Sequence, residues 1–176
     1  MWLSLRRRGQ SAGSQLNRNP LASRFMTQRR THRPVRMGRL PPRYSFALNA
    51  HPGARFTRCP RCEAYTRLRK LPLVVHIGGS DGGRLVVLGK SCRLCTACEL
   101  LIAQDAEVTK LLTNLGFGPD RDADGYLVLG TLERSVWRRG VRGAVEFHEL
   151  LAHMADFEEY IRLDFEPSGW RPRSAG

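Results

Sequence analysis

The chain has 176 residues, a formal net charge of +13 and a sequence pI near 10.7. That length suits one ordinary domain with a small fused module, and the charge points to acidic partners such as nucleic acid or an anionic surface. No apolar run approaches the roughly 20 residues that span a bilayer, and the N-terminus lacks the apolar core of a secretory signal. The expectation is therefore an intracellular, cytoplasmic protein that does not insert into membranes.

The charge is unevenly spread. Residues 1–43 hold 11 Arg and no acid, whereas residues 100–176 hold 9 basic residues against 13 acids. Only 3 of the 29 basic residues are lysines, an arginine bias that GC-rich coding also produces. Rich in Arg, Ser, Gly and Pro with no sustained apolar period, residues 1–43 cannot bury enough surface to offset their ordering entropy. They are expected to be a disordered basic tail. A nucleic-acid-binding arm, an organellar transit peptide, or sequence read from too early a start, with Met26 and Met37 as later starts, would each account for it.

Residues 44–104 carry all five cysteines. The first pair, Cys59-Pro60-Arg61-Cys62, stands in RFTRCPRCEAYTR, and Cys92, Cys95 and Cys98 follow in KSCRLCTACELL. Between them YTRLRKLPLVVHI and GRLVVLGK are β-branched and leucine-rich runs separated by GGSDGG, the composition of a hairpin. Pro72 should break the first strand or put it at an edge. The period of two places Tyr65, Arg67 and Arg69 on one face, with Arg55, Arg58, Arg61, Lys90 and Arg93 close by in sequence around the cysteines.

Cys-x-x-Cys lets one tight turn offer two sulfurs to one ion, and two such turns close a tetrahedral zinc site. Cys59 and Cys62 form one. The second is either Cys92/Cys95 or Cys95/Cys98. Two features favour Cys95 and Cys98: Glu99 follows Cys98 as Glu63 follows Cys62, and Thr96-x-x-Glu99 fits a capping box that would start a helix. Cys92 is then the spare thiol and the alternative ligand. The triplet Cys92, Cys95, Cys98 also begins like a ferredoxin-type run, but position 102 is Ile, so an iron–sulfur cluster would need Cys59 as a fourth ligand.

Farther on, DAEVTKLLTNLG has Val108, Leu111, Leu112 and Leu115 at helical spacing with Gly116 as a stop. YLVLGTLERSVW alternates weakly and is expected to be a strand. In AVEFHELLAHMADFEEYI the stripe Phe147, Leu150, Leu151, Met154, Phe157 or Glu158 by phase, and Ile161 predicts a second amphipathic helix. Asp120-x-Asp122-x-Asp124 begins like a calcium loop, but Thr131 stands at its twelfth position, which argues for a polar turn. His148 and His153 are five apart, off the shared face a zincin helix needs, and His76 reads as a strand histidine.

CPRC, a hairpin and CTAC together resemble the zinc-ribbon or treble-clef class of four-cysteine zinc fingers over residues 56–104. The departures are the third cysteine of the second cluster, and Glu63 and Glu99 where such knuckles often carry Gly. The fold class expected is α+β: a zinc-ribbon or treble-clef-like module at 44–104, then a small α/β part at 105–176 packed on it, with two amphipathic helices. No set of groups assigns nucleophile, base and oxyanion donor, so a non-catalytic zinc protein is expected. Its foremost reading binds RNA or DNA through Arg58, Arg61, Tyr65, Arg67 and Arg69. The alternatives are a protein-interaction adaptor docking a partner through its C-terminal part, and an iron–sulfur protein.

Overall fold

The computed structural model describes residues 36–78, 83–117, 125–143, 145–166 and 169–174. In chain order they form β1 (Ser45–Asn49), β2 (Arg67–Ile77), β3 (Arg84–Cys95), β4 (Leu100–Gln104), α1 (Asp105–Asn114), β5 (Tyr126–Leu132), α2 (Arg134–Gly140), α3 (Phe147–Ala152), β6 (Met154–Asp156), β7 (Glu159–Glu166) and β8 (Gly169–Ser174). The eight strands make one mixed sheet in the order β6-β5-β2-β3-β4-β1-β7-β8. The molecule is thus α+β but largely strand.

The long β2–β3 hairpin runs in unbroken antiparallel register from Arg67↔Leu94 to Ile77↔Arg84. Pro72 does not break it. β5 borders β2 only from Leu73 to Ile77, so Pro72, which has no N–H to donate, sits just where β2 loses that second neighbour. β1 runs parallel to both β4 and β7. Its buried run Ser45, Phe46 and Ala47 fits a parallel strand covered on both faces.

Only Phe157 and Glu158 separate β6, which pairs with β5, from β7, which pairs with β1. The Phe157 N–H donates to Leu129 O and the Glu158 N–H to Tyr44 O, so one short segment bridges both sides. The sheet must therefore roll on itself. Inside the roll Phe46 stacks on Phe157 with ring centroids 4.4 Å apart, among Leu73, Val75, Leu101, Val108 and Val128. Phe46, Val75, Leu101 and Val108 are each at most 1% exposed. Helix α1 closes this core with Val108 and Leu112. It ends as expected at Gly116, whose φ of 88° lets the N–H groups of Gly116 and Phe117 reach Thr113 O and Leu112 O, a Schellman stop.

Four expectations need correction. The second helix stops at Ala152, because Met154, Ala155, Asp156 and Phe157 are buried consecutively and no 3.6-residue period buries four successive residues on one face. Pairing with β5 and β1 overrides the helical stripe, and Phe147, its first member, is 56% exposed. The strand expected through Trp137 ends at Leu132 and gives way to α2. The capping box at Thr96 starts no helix; residues 96–99 turn directly into β4.

The fourth correction concerns the tail, of which residues 1–35 lie outside the described residues. Residues 36–43, expected to lack structure, run along β6. Leu40 bridges Ala155 in parallel, the Arg39, Leu40 and Arg43 N–H groups donate to Leu151, Met154 and Asp156 carbonyls, and the Asp156 carboxylate accepts the Met37 and Gly38 N–H groups at 3.1 and 3.0 Å. Their backbone demand is met by a neighbour too short to signal itself in sequence. The Asp120 turn also lies outside the described residues, and no described helix is long and apolar enough to cross a membrane.

Candidate metal centre

Each Cys-x-x-Cys forms the tip of a hairpin. Around the first, Arg58 bridges Tyr65, the Cys59 N–H donates to Ala64 O at 2.8 Å and the Glu63 N–H to Cys59 O at 2.8 Å. The second joins β3 to β4, with Cys95 paired to Leu100. The residue after each closing cysteine has left-handed backbone, φ 60° at Glu63 and 50° at Glu99, so the tips repeat one conformation. That geometry is why glycine is common there: left-handed backbone costs an L-residue roughly 1–2 kcal/mol. Glu99→Gly is expected to raise stability by about 0.5–1 kcal/mol, read as a higher denaturation midpoint with metal bound; a lower midpoint would mean the Glu99 side chain contributes more than its backbone costs.

The tips face one another. The sulfurs of Cys59, Cys62, Cys95 and Cys98 all lie within 4.8 Å of one another, with Cys59–Cys98 and Cys62–Cys95 at 3.4 Å and Cys62–Cys98 at 3.8 Å. Four sulfurs about 2.3 Å from a tetrahedral zinc stand roughly 3.8 Å apart. The donor set fits such an ion.

The surroundings favour thiolate unequally. At Cys95, burial raises the pKa, but N–H groups of Cys98 and Ala97 with the Cys62 and Cys98 thiols outweigh it and bring the pKa down to about 7. Burial pushes Cys59 up despite N–H groups from Arg61 and Cys62, and burial together with the neighbouring sulfurs pushes Cys98 up. Four thiolates in this space repel one another, so a cation is needed to hold them all deprotonated. An apolar shell of Ala47, Phe56, Leu100, Ile102, Ile161 and Leu163 backs the cluster, drawn from β1, β4, β7 and the loop before the first tip.

Cys92 lies elsewhere. Its position on β3, three residues before Cys95, puts it on the opposite face, 1% exposed inside the roll, where burial pushes its pKa up to about 12. The triplet Cys92, Cys95, Cys98 does not converge.

Of the five residues read as a basic face, four remain on the surface together. The Arg58 guanidinium lies 4.5 Å over the Tyr65 ring and donates to its hydroxyl at 3.0 Å. Tyr65 is 71% exposed, and Arg67 and Arg69 project from the start of β2. Arg61 turns away, donating to Glu159 at 2.8 Å and Ser45 Oγ at 3.3 Å, a contact that holds it firmly protonated and ties the first tip to β7. Sequence reasoning missed Leu68 and Lys70, exposed beside them: residues 67–70 are exposed on both faces, and burial begins only at Leu71 and Pro72. Lys90 is instead buried, its ammonium held by Ser91 O at 2.9 Å and the Glu107 carboxylate. His76 is not part of the sulfur cluster.

Fold and site together define a β-rich protein whose four clustered thiols suit a four-cysteine metal site. Comparison with protein-family models, curated proteins and solved structures finds no match for the chain, so function rests on the geometry.

Proposed function

We propose that the chain is a zinc-ribbon protein in which a structural zinc, held by Cys59, Cys62, Cys95 and Cys98, stiffens two hairpin tips, and that the exposed start of β2 binds single-stranded nucleic acid. The ribbon is favoured over a treble clef because the second knuckle leads into β4 rather than a helix. The zinc closes with four protein thiolates, so its chemistry is structural, and nothing in this reading makes it catalytic.

The observation that carries the nucleic-acid reading is the exposed run Tyr65, Arg67, Leu68, Arg69 and Lys70 beside the metal centre. Guanidinium and ammonium groups meet phosphates there, and Tyr65, braced by Arg58, offers a ring on which a base stacks. Leu68 also lines a cleft of about 300 Å³ with Arg55, Phe56, Arg93 and Glu107, which adds two guanidinium groups beside one carboxylate.

Binding of a single-stranded RNA or DNA oligonucleotide over a salt series tests this. About four phosphate contacts predict a log–log slope near −3, and Tyr65→Ala should cost about 1–3 kcal/mol of affinity without loss of metal. Binding that ignores salt, or none at low salt by metal-loaded protein, would favour the adaptor reading instead.

A further inference from the structure

Beyond Pro72, on the side where β5 leaves β2, lies a cleft of about 530 Å³ unrelated to the sulfur cluster, within the range of small-molecule sites. Its apolar walls include Pro41, Pro42, Leu71 and Pro72, Arg43, Glu133 and Arg134 supply its charged groups, and His153 adds an imidazole. His153 Nδ1 and Glu133 Oε2 stand 2.7 Å apart, which orients the imidazole and leaves Nε2 as the nitrogen that can meet a ligand oxygen. The Arg134 guanidinium spends one donor on Lys70 O at 3.0 Å, so its other N–H groups remain for a ligand. Arg43 lies 4.6 Å over the Tyr44 ring.

The wall carrying Arg43 is also strained. Tyr44 has a φ of 67°, a conformation that costs a bulky residue free energy and is concentrated at functional sites. The surrounding structure holds it there: Tyr44 is buried and its carbonyl accepts the Glu158 N–H at 3.0 Å. Two guanidinium groups, an oriented imidazole and flat apolar walls thus share one small-molecule-sized cleft.

From this arrangement we propose that the cleft binds a nucleoside monophosphate group, either as a free nucleotide or as the phosphorylated end of a strand. The phosphate oxygens accept from Arg43 and Arg134, whose planar forks match that anion. His153 Nε2 hydrogen-bonds a third oxygen. The base or sugar packs on the prolines and Leu71. Glu133, the one carboxylate among the described residues that line the cleft, is turned to His153 and so does not face the phosphate. The proposal stands apart from the nucleic-acid reading of the β2 edge, because it needs no contact made by Tyr65, Arg67 or Arg69.

Calorimetric titration of the metal-loaded full chain with 5′-AMP tests it, alongside paired oligonucleotides that differ only in a 5′-phosphate. Saturable binding of 5′-AMP is expected, weakened about tenfold or more by Arg134→Gln and by His153→Gln, with partial recovery in Arg134→Lys. Metal content and thermal midpoint should be unchanged, since both side chains are solvent-exposed. Tyr65→Ala should leave 5′-AMP affinity intact, which separates failure of this site from failure of the β2 edge. Preference for the phosphorylated oligonucleotide assigns the site to strand ends, and equal affinity for the pair alongside 5′-AMP binding assigns it to free nucleotides. If neither 5′-AMP nor the 5′-phosphate is recognised, or if recognition is the same in Arg134→Gln, His153→Gln and the parent chain, the proposal is overturned.

Discussion

Cys95→Ser is expected to lose the metal and release both hairpin tips, while Cys92→Ala keeps a full metal complement. Cys95 is fully buried between the second tip and the apolar shell of Phe56, Leu100 and Ile102, and its thiol has the lowered pKa. Removing it leaves three sulfurs for a site whose occupation contributes about 10 kcal/mol or more in comparable zinc modules. The loss should be regional. The interior of the roll is built from Phe46, Leu73, Leu101 and Val128 and their neighbours, so most strand signal should survive while amide protection collapses around residues 56–66 and 94–100. Cys92→Ala removes one sulfur from the roll interior and should cost on the order of 1–2 kcal/mol with no loss of metal. Metal analysis and hydrogen exchange on the two variants read this directly; loss of metal from the Cys92 variant as well would make Cys92 a ligand and overturn the assignment.

Phe46→Ala should do the opposite damage, unfolding the roll rather than the tips. Phe46 is 1% exposed, stacks on Phe157 at 4.4 Å and meets Tyr160 edge-on at 5.9 Å. It stands on β1, the strand that joins β4 to β7 in parallel. Truncating a buried Phe costs about 3–5 kcal/mol, a large part of the roughly 5–15 kcal/mol that holds a domain folded. Equilibrium denaturation of the metal-loaded variant should show a midpoint lowered accordingly. A loss under about 1 kcal/mol would mean that β1 does not anchor the core inside the roll.

How far the sequence spoke for this structure depended on whether the forces were local. Cysteine spacing and the twin Glu residues after Cys62 and Cys98 are short-range features, and they pointed to the four sulfurs that come together. The β2–β3 hairpin and α1 with Gly116 were legible for the same reason. The parallel pairing of β1 with β4 and β7 was not, since those partners lie more than 50 residues away in sequence. The run from Phe147 to Ile161 misled because a stripe at helical spacing also satisfies a strand buried on both faces, and only the position of β5 decides between them. Glu133 and His153 meet across 20 residues with no motif to announce them.

Metal analysis of the unmodified chain by mass spectrometry, with an absorbance spectrum, tests the four-thiolate centre most directly. One zinc per chain, no iron and no visible absorbance is the predicted result. Stoichiometric iron with visible sulfur-to-iron absorbance, or a folded chain that holds no metal at all, would contradict it.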